Sequence, residues 1–176
     1  MEIKIEVEKL KENVRELLNS DDFKELSVIY LAIFLERILK KAIIYNYRKA
    51  GFSALFIRNR LLDKMSYAQL ISEFEWSSLE NINLTKIWKS KKMNITNLKG
   101  IMTVRNKVIH SNGNTPIKEI QKSVIELIYV IDNLSAIFAD SIGYNGFDPL
   151  PKTFPKDQLK LTSKMLHRSI IAKFNK

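Results

Sequence analysis

The sequence contains no cysteine. Disulfides, thiolate zinc sites and thiol nucleophiles are therefore excluded, and a reducing compartment fits. Histidine is nearly as scarce. The two, His110 and His167, stand far apart with no acidic cluster beside them, which argues against a zinc centre. Glycine (5) and proline (4) are few. There is no Gly-x-x-x-x-Gly-Lys loop, no Gly-x-Gly-x-x-Gly and no Gly-x-Ser-x-Gly elbow. P-loop hydrolases, Rossmann oxidoreductases and α/β hydrolases are thus not expected, and any catalysis should need neither a metal nor an organic cofactor. The longest clean apolar run, Val28 to Leu35, is too short to cross a bilayer. Met1 to Glu6 alternates charged with apolar residues and lacks the apolar stretch of a signal peptide. A cytoplasmic protein without a membrane partner is expected.

What is present is 176 residues, 45% hydrophobic and 27% charged, with a net charge of +10. That composition suits a folded globule able to bury about 70% of its unfolded surface. The positive charge favours polyanionic partners such as nucleic acid. Lys, Asn and Ile are all abundant, however, as an AT-rich coding sequence would make them, so the distribution of charge has to decide.

The scarcity of glycine and proline leaves long stretches suited to helices. Ile3, Val7, Leu10, Val14 and Leu17 form an amphipathic stripe that predicts a first helix ending near Asn19. Ser20 and Asp21 can cap a second helix reaching Ala50, with Gly51 as its stop. Its apolar residues nearly encircle it, leaving a polar line at Glu36, Arg37 and Lys40, the pattern of a central helix. Ser66-Tyr67-Ala68-Gln69 has capping-box spacing and opens a short helix through Glu75, whereas residues 76–93 give no clear pattern. A helix from Asn94 or Thr96 to His110 follows, then a turn at Ser111-Asn112-Gly113-Asn114. Thr115 and Pro116 serve as cap and first-turn residue of a long helix to Ser141. No segment alternates with period two. The expected fold is all-α, a bundle of four to five main helices over residues 1–147, then a Pro-containing linker and a basic amphipathic C-terminal helix over residues 148–176.

The most informative segment is Arg105-Asn106-Lys107-Val108-Ile109-His110. With about 100° per residue and Leu98 at zero, Ile101 falls at about 300°, Met102 at about 40°, Val108 at about 280° and Ile109 at about 20°. Arg105, at about 340°, sits at the centre of this apolar stripe. A guanidinium cannot shed its charge, so it needs an anion or an opening there. Two alternatives arise: a structural ion pair, with Glu36 of the central helix as candidate, or a cleft that takes an external anion. Arg105 and His110 point about 140° apart, so one helix cannot aim both at one atom. Either the helix unwinds at Ser111, or two copies of it supply a composite site.

These residues resemble the HEPN superfamily of small helical domains, many of them prokaryotic RNases of toxin, abortive-infection and CRISPR systems. The family pattern is Arg, a polar residue, three variable positions and His near a helix end before another long helix. The segment from Leu31 to Lys40 is similar to the family's central helix and Ser66 to Ile71 to a short helix after it, so the resemblance covers residues 20–141. It implies a homodimer through the motif helix and a metal-independent endoribonuclease that cleaves RNA by 2′-hydroxyl attack. His110 would move the proton, Arg105 would hold the phosphate, and Asn106 would orient the imidazole or the phosphate. A toxin or anti-phage role is implied, with a possible antitoxin or defence-system partner. Members paired with a nucleotidyltransferase often carry a tyrosine two places after the histidine; Asn112 stands there, so control by adenylylation is not expected. Some HEPN domains are inactive and serve as RNA-, nucleotide- or protein-binding modules, which is the alternative reading.

From Lys86 to Lys107 there are seven bases and no acid. Lys91, Lys92, Lys99 and Lys107 are candidate phosphate contacts and Trp88 a candidate base-stacking residue, against the alternative of a solvated lysine-rich loop with Trp88 in the core. In the tail, Lys152, Lys156, Lys160, Lys164 and Arg168 recur every four residues, with Leu159, Leu166, Ile170 and Phe174 on another face. That tail either lies on its own domain or docks onto a partner. His167 is read as ordinary surface.

Overall fold

The computed structural model describes residues 2–20, 24–61, 65–78, 82–91, 103, 105–111 and 114–154. Among the described residues all regular structure is helical. The helices are α1 (Glu2–Leu18), α2 (Lys24–Lys49), α3 (Ala54–Leu61), α4 (Tyr67–Ser77), α5 (Leu84–Ser90) and α6 (Ile117–Ile142). Residues 105–110 form a further helical segment, called here the motif segment.

The central position expected of the second helix is observed: α2 packs against α1, α3, α4 and α6. Val28, Leu31, Ala32, Leu35, Leu39 and Ala42 are fully buried along it. Leu26, Tyr30 and Ile33, one helical face by spacing, are instead exposed. The helix stops as predicted. Gly51 adopts φ +85°, Gly51 N–H bonds to Arg48 O at 3.0 Å and Phe52 N–H to Tyr47 O at 3.0 Å, a Schellman closure. The cap proposed at Asp21 lies outside the described residues.

The capping box that opens α4 forms fully: Gln69 N–H donates to Ser66 Oγ at 3.3 Å and Ser66 N–H to Gln69 Oε1 at 2.7 Å. Two helices had no counterpart in the sequence reading. In α3, Ser53 Oγ accepts from Phe56 N–H at 3.2 Å. In α5, Asn83 Oδ1 caps Lys86 N–H at 2.8 Å. Both are short helices whose polar caps precede too few apolar positions to show a period.

The start of α6 corrects the expected cap. Pro116 occupies the N-cap position with no side-chain cap bond, and Thr115 Oγ1 donates to Ser111 Oγ at 2.5 Å instead of capping the helix. Thr115 N–H meets Glu25 Oε1 at 3.3 Å, joining the heads of α6 and α2. At their other ends Tyr144 stacks on Tyr45 with ring centroids 4.7 Å apart, so α2 and α6 run in the same direction. Gly143 ends α6 at φ +72°.

The segment after α6 lies along α2. Lys41 Nζ donates to Phe147 O at 2.7 Å and Arg48 Nη2 to Lys152 O at 3.1 Å, while Phe154 packs edge-on against Tyr45 at 5.2 Å. The part of the expected linker from Pro149 to Phe154 is thus fixed against the bundle by Arg48 and Tyr45. Residues 155–176, on which the predicted basic helix falls, lie outside the described residues.

Candidate functional site at the motif segment

The motif segment runs back against the first turns of α6. Asn114 N–H donates to Ser111 O at 3.1 Å, and a connection this short makes antiparallel neighbours of the helices it joins. Lys107 Nζ then lies 2.5 Å from Glu119 Oε2. Val108 is buried and anchors the segment to the core.

Around this anchor the other motif residues divide. Ile109 is exposed (39%), as are Asn106, Lys107 and His110. Arg105 is half-buried. The apolar stripe read from the sequence is therefore split: Val108 faces inward and Ile109 outward, with Arg105 at the edge between them. Leu98, Ile101 and Met102, the other members of that stripe, lie outside the described residues.

Arg105 is the chemically unusual member. Its Nε is buried and has no hydrogen-bond partner among the described residues. Glu36 does not supply one: half-buried on α2, it forms no ion pair with Arg105. The charge of Glu36 is felt instead at the buried Tyr67 hydroxyl. Burial first, and then this carboxylate, push the Tyr67 phenol well above its ordinary value. Among the described residues the structural ion pair is thus not formed.

The helix persists through His110, and Ser111 closes it by donating N–H (3.2 Å) and Oγ (2.6 Å) to Val108 O. It does not unwind to swing the imidazole round. Arg105 and His110 of one chain accordingly project about 140° apart and are not brought to one point.

Of the four lysines expected beside the motif, the two among the described residues, Lys91 and Lys107, stand far apart. Lys107 pairs with Glu119, whereas Lys91 Nζ stands 3.8 Å from Asp140 Oδ2. At 1.5 Å per residue, α6 separates these two acids by about 30 Å. Lys92 and Lys99 lie outside the described residues. Trp88 is fully buried, edge-on to Tyr129 with centroids 6.5 Å apart, and so is a core residue and not a stacking platform. Its apolar bulk at the middle of α5 packs under α6, which local sequence around the lysines does not reveal.

A cleft of about 320 Å³ opens between the motif segment and α6, with Lys107, Val108, Glu119, Lys122, Ser123 and Glu126 in its walls. The α6 residues were not singled out from the sequence. Their signal is positional: Glu119, Lys122, Ser123 and Glu126 share one flank of α6 beside its core stripe, and the motif segment runs back along that flank.

Compared with family models, with characterised proteins and with solved structures, the chain has no match, so its own residues carry the functional argument.

Proposed function

We propose that the protein is a metal-independent endoribonuclease of HEPN type, active as a homodimer in which two motif segments face each other. The observation that carries this reading is the half-buried Arg105 with a partnerless Nε. A permanent cation at the edge of the core, with no carboxylate to meet it among the described residues, is suited to hold an external anion at the part of its side chain that remains exposed. An RNA phosphate fits both the charge and the fork of donors.

The adjacent groups suit the chemistry. His110 is exposed at the end of the segment, where an imidazole can take the proton of a ribose 2′-hydroxyl and return one to the leaving 5′-oxygen. Attack of the 2′-oxygen on phosphorus then breaks the P–O5′ bond and leaves a 2′,3′-cyclic phosphate. Arg105 stabilises charge developing on the phosphoryl oxygens, and Asn106, exposed one position on, orients the phosphate or the imidazole. Since Arg105 and His110 of one chain diverge, two copies supply the complementary halves. Exposed Ile109 between them gives that contact an apolar residue. DNA, lacking the 2′-hydroxyl, is bound and not cut. A role in toxin action or phage defence follows from the same reading.

The test is cleavage of single-stranded RNA in EDTA. Wild-type protein leaves cyclic phosphate ends, and His110→Ala loses about a hundredfold or more in rate while keeping its helical spectrum. RNA that stays intact with excess wild-type protein, yet binds with a steep salt dependence, would establish the second reading, a non-catalytic RNA-binding module.

A further inference from the structure

We propose that the cleft between the motif segment and α6 is a guanine subsite, which selects a guanosine beside the cut linkage. The inference rests on the ribonuclease reading and adds base specificity to it.

Its volume of about 320 Å³ is at the lower end of small-molecule sites, about 300–1,000 Å³, which suits one nucleobase and not a duplex. The charged groups in its walls are unequal. Glu119 is already engaged by Lys107 at 2.5 Å. Glu126 and Lys122, one helical turn apart on the same wall, have no ion-pair or hydrogen-bond partner among the described residues. The cleft therefore presents one free ammonium next to one free carboxylate.

That order of groups matches one base. The Watson–Crick edge of guanine offers an acceptor, O6, followed by two adjacent donors, N1–H and N2–H. Lys122 donates to O6, and the two oxygens of Glu126 accept from N1–H and N2–H together. Adenine and cytosine each set an acceptor nitrogen beside their amino group, and uracil flanks its single N–H with two carbonyls. All three turn at least one lone pair toward the carboxylate. Val108 contributes the apolar part of the wall. The pairing is with groups exposed at the cleft, so recognition needs no rearrangement of the core.

The test combines calorimetric titration of the full chain with GMP, AMP, CMP and UMP with mapping of cut sites on RNA of mixed sequence. GMP is expected to bind about tenfold more tightly than the other three, and cuts to lie beside guanosines. Glu126→Gln, a surface change whose folding is checked by its helical spectrum, is expected to erase that preference. Equal binding of the four nucleotides, or a preference that survives Glu126→Gln, overturns the subsite. RNA cut without base preference overturns the subsite and leaves the ribonuclease reading intact. A GMP preference that Glu126→Gln erases, in a protein that neither cuts nor binds RNA, overturns the assignment to RNA and makes the cleft a site for free guanine nucleotide.

Discussion

Lys107 and Lys91 each face an acid of α6, Glu119 at 2.5 Å and Asp140 at 3.8 Å, and that helix holds them about 30 Å apart. Only Lys107 lies on the motif segment. Both pairs are substantially exposed, so each contributes only about 0–1 kcal/mol to stability. Lys107→Ala is therefore expected to leave the unfolding midpoint nearly unchanged while weakening binding of a short RNA and lowering its salt slope by about one. Lys91→Ala should alter neither for the same oligonucleotide. Equal effects of the two substitutions would remove Lys107 from the binding surface.

Trp88 divides a core role from a surface role by energy. Fully buried against Tyr129, it should cost about 3–5 kcal/mol when replaced by alanine, read as a lower urea midpoint. A loss of RNA affinity with unchanged stability would be the signature of a stacking residue and would contradict this packing.

Tyr67 and Tyr144 make an alkaline prediction. Burial, and after it the charge of Glu36, raise the Tyr67 phenol; partial burial, Asp148 and Tyr45 push Tyr144 up to about 12. The unfolded chain deprotonates these groups at about pH 10. A raised folded value means that the folded state holds the proton more tightly, so this stabilisation is complete below about pH 10 and is lost as the pH rises above it. The Tyr67 hydroxyl is also buried without a partner, and Tyr67→Phe removes both features. Urea midpoints for that variant should equal or exceed wild type at neutral pH and fall less steeply above about pH 10. A destabilisation of about 2 kcal/mol or more at neutral pH would show that the hydroxyl is bonded.

Gly143 and Gly146 both adopt positive φ, yet only one is crowded. An added Cβ at Gly143 meets nothing within 4 Å, whereas at Gly146 it comes within 3.1 Å of Ile38 Cβ and 3.2 Å of the Ile38 carbonyl oxygen. Gly143→Ala should cost about 1–2 kcal/mol, the backbone penalty alone. Gly146→Ala should cost more, because the strap after α6 must lift from α2. Equal losses in thermal unfolding would contradict that contact.

The sequence was most legible where one period dominates. The stripe Leu10–Val14, the Leu31–Leu35–Leu39 side of α2, the Ser66–Gln69 box and the Gly51 stop all depend on neighbours within a turn or two, and all appear in the structure, whereas the Leu26–Tyr30–Ile33 side of α2 is exposed. Short α3 and α5 escaped because eight or fewer residues hold barely two turns of pattern. The site was half legible. Spacing placed Arg105 and His110 on different sides of one helix, which the continuous helix through His110 upholds. Sequence proximity nevertheless suggested one basic patch from Lys86 to Lys107, and tertiary packing separates it: α5 rides on the far half of α6 while the motif turns back at its head. The wall formed by Lys122 and Glu126 depends on the return of the motif segment alongside α6, which no local pattern encodes.

If Arg105 is held for an anion from outside the chain, replacing its side chain with an uncharged one of similar length removes the anion site and spares the fold. Arg105→Met removes a buried, partnerless Nε, so the variant should unfold at the same or a higher urea concentration than wild type while RNA cleavage in EDTA falls by about a hundredfold or more. A variant that unfolds several kcal/mol more easily, or one that cuts RNA as fast as wild type, would contradict it.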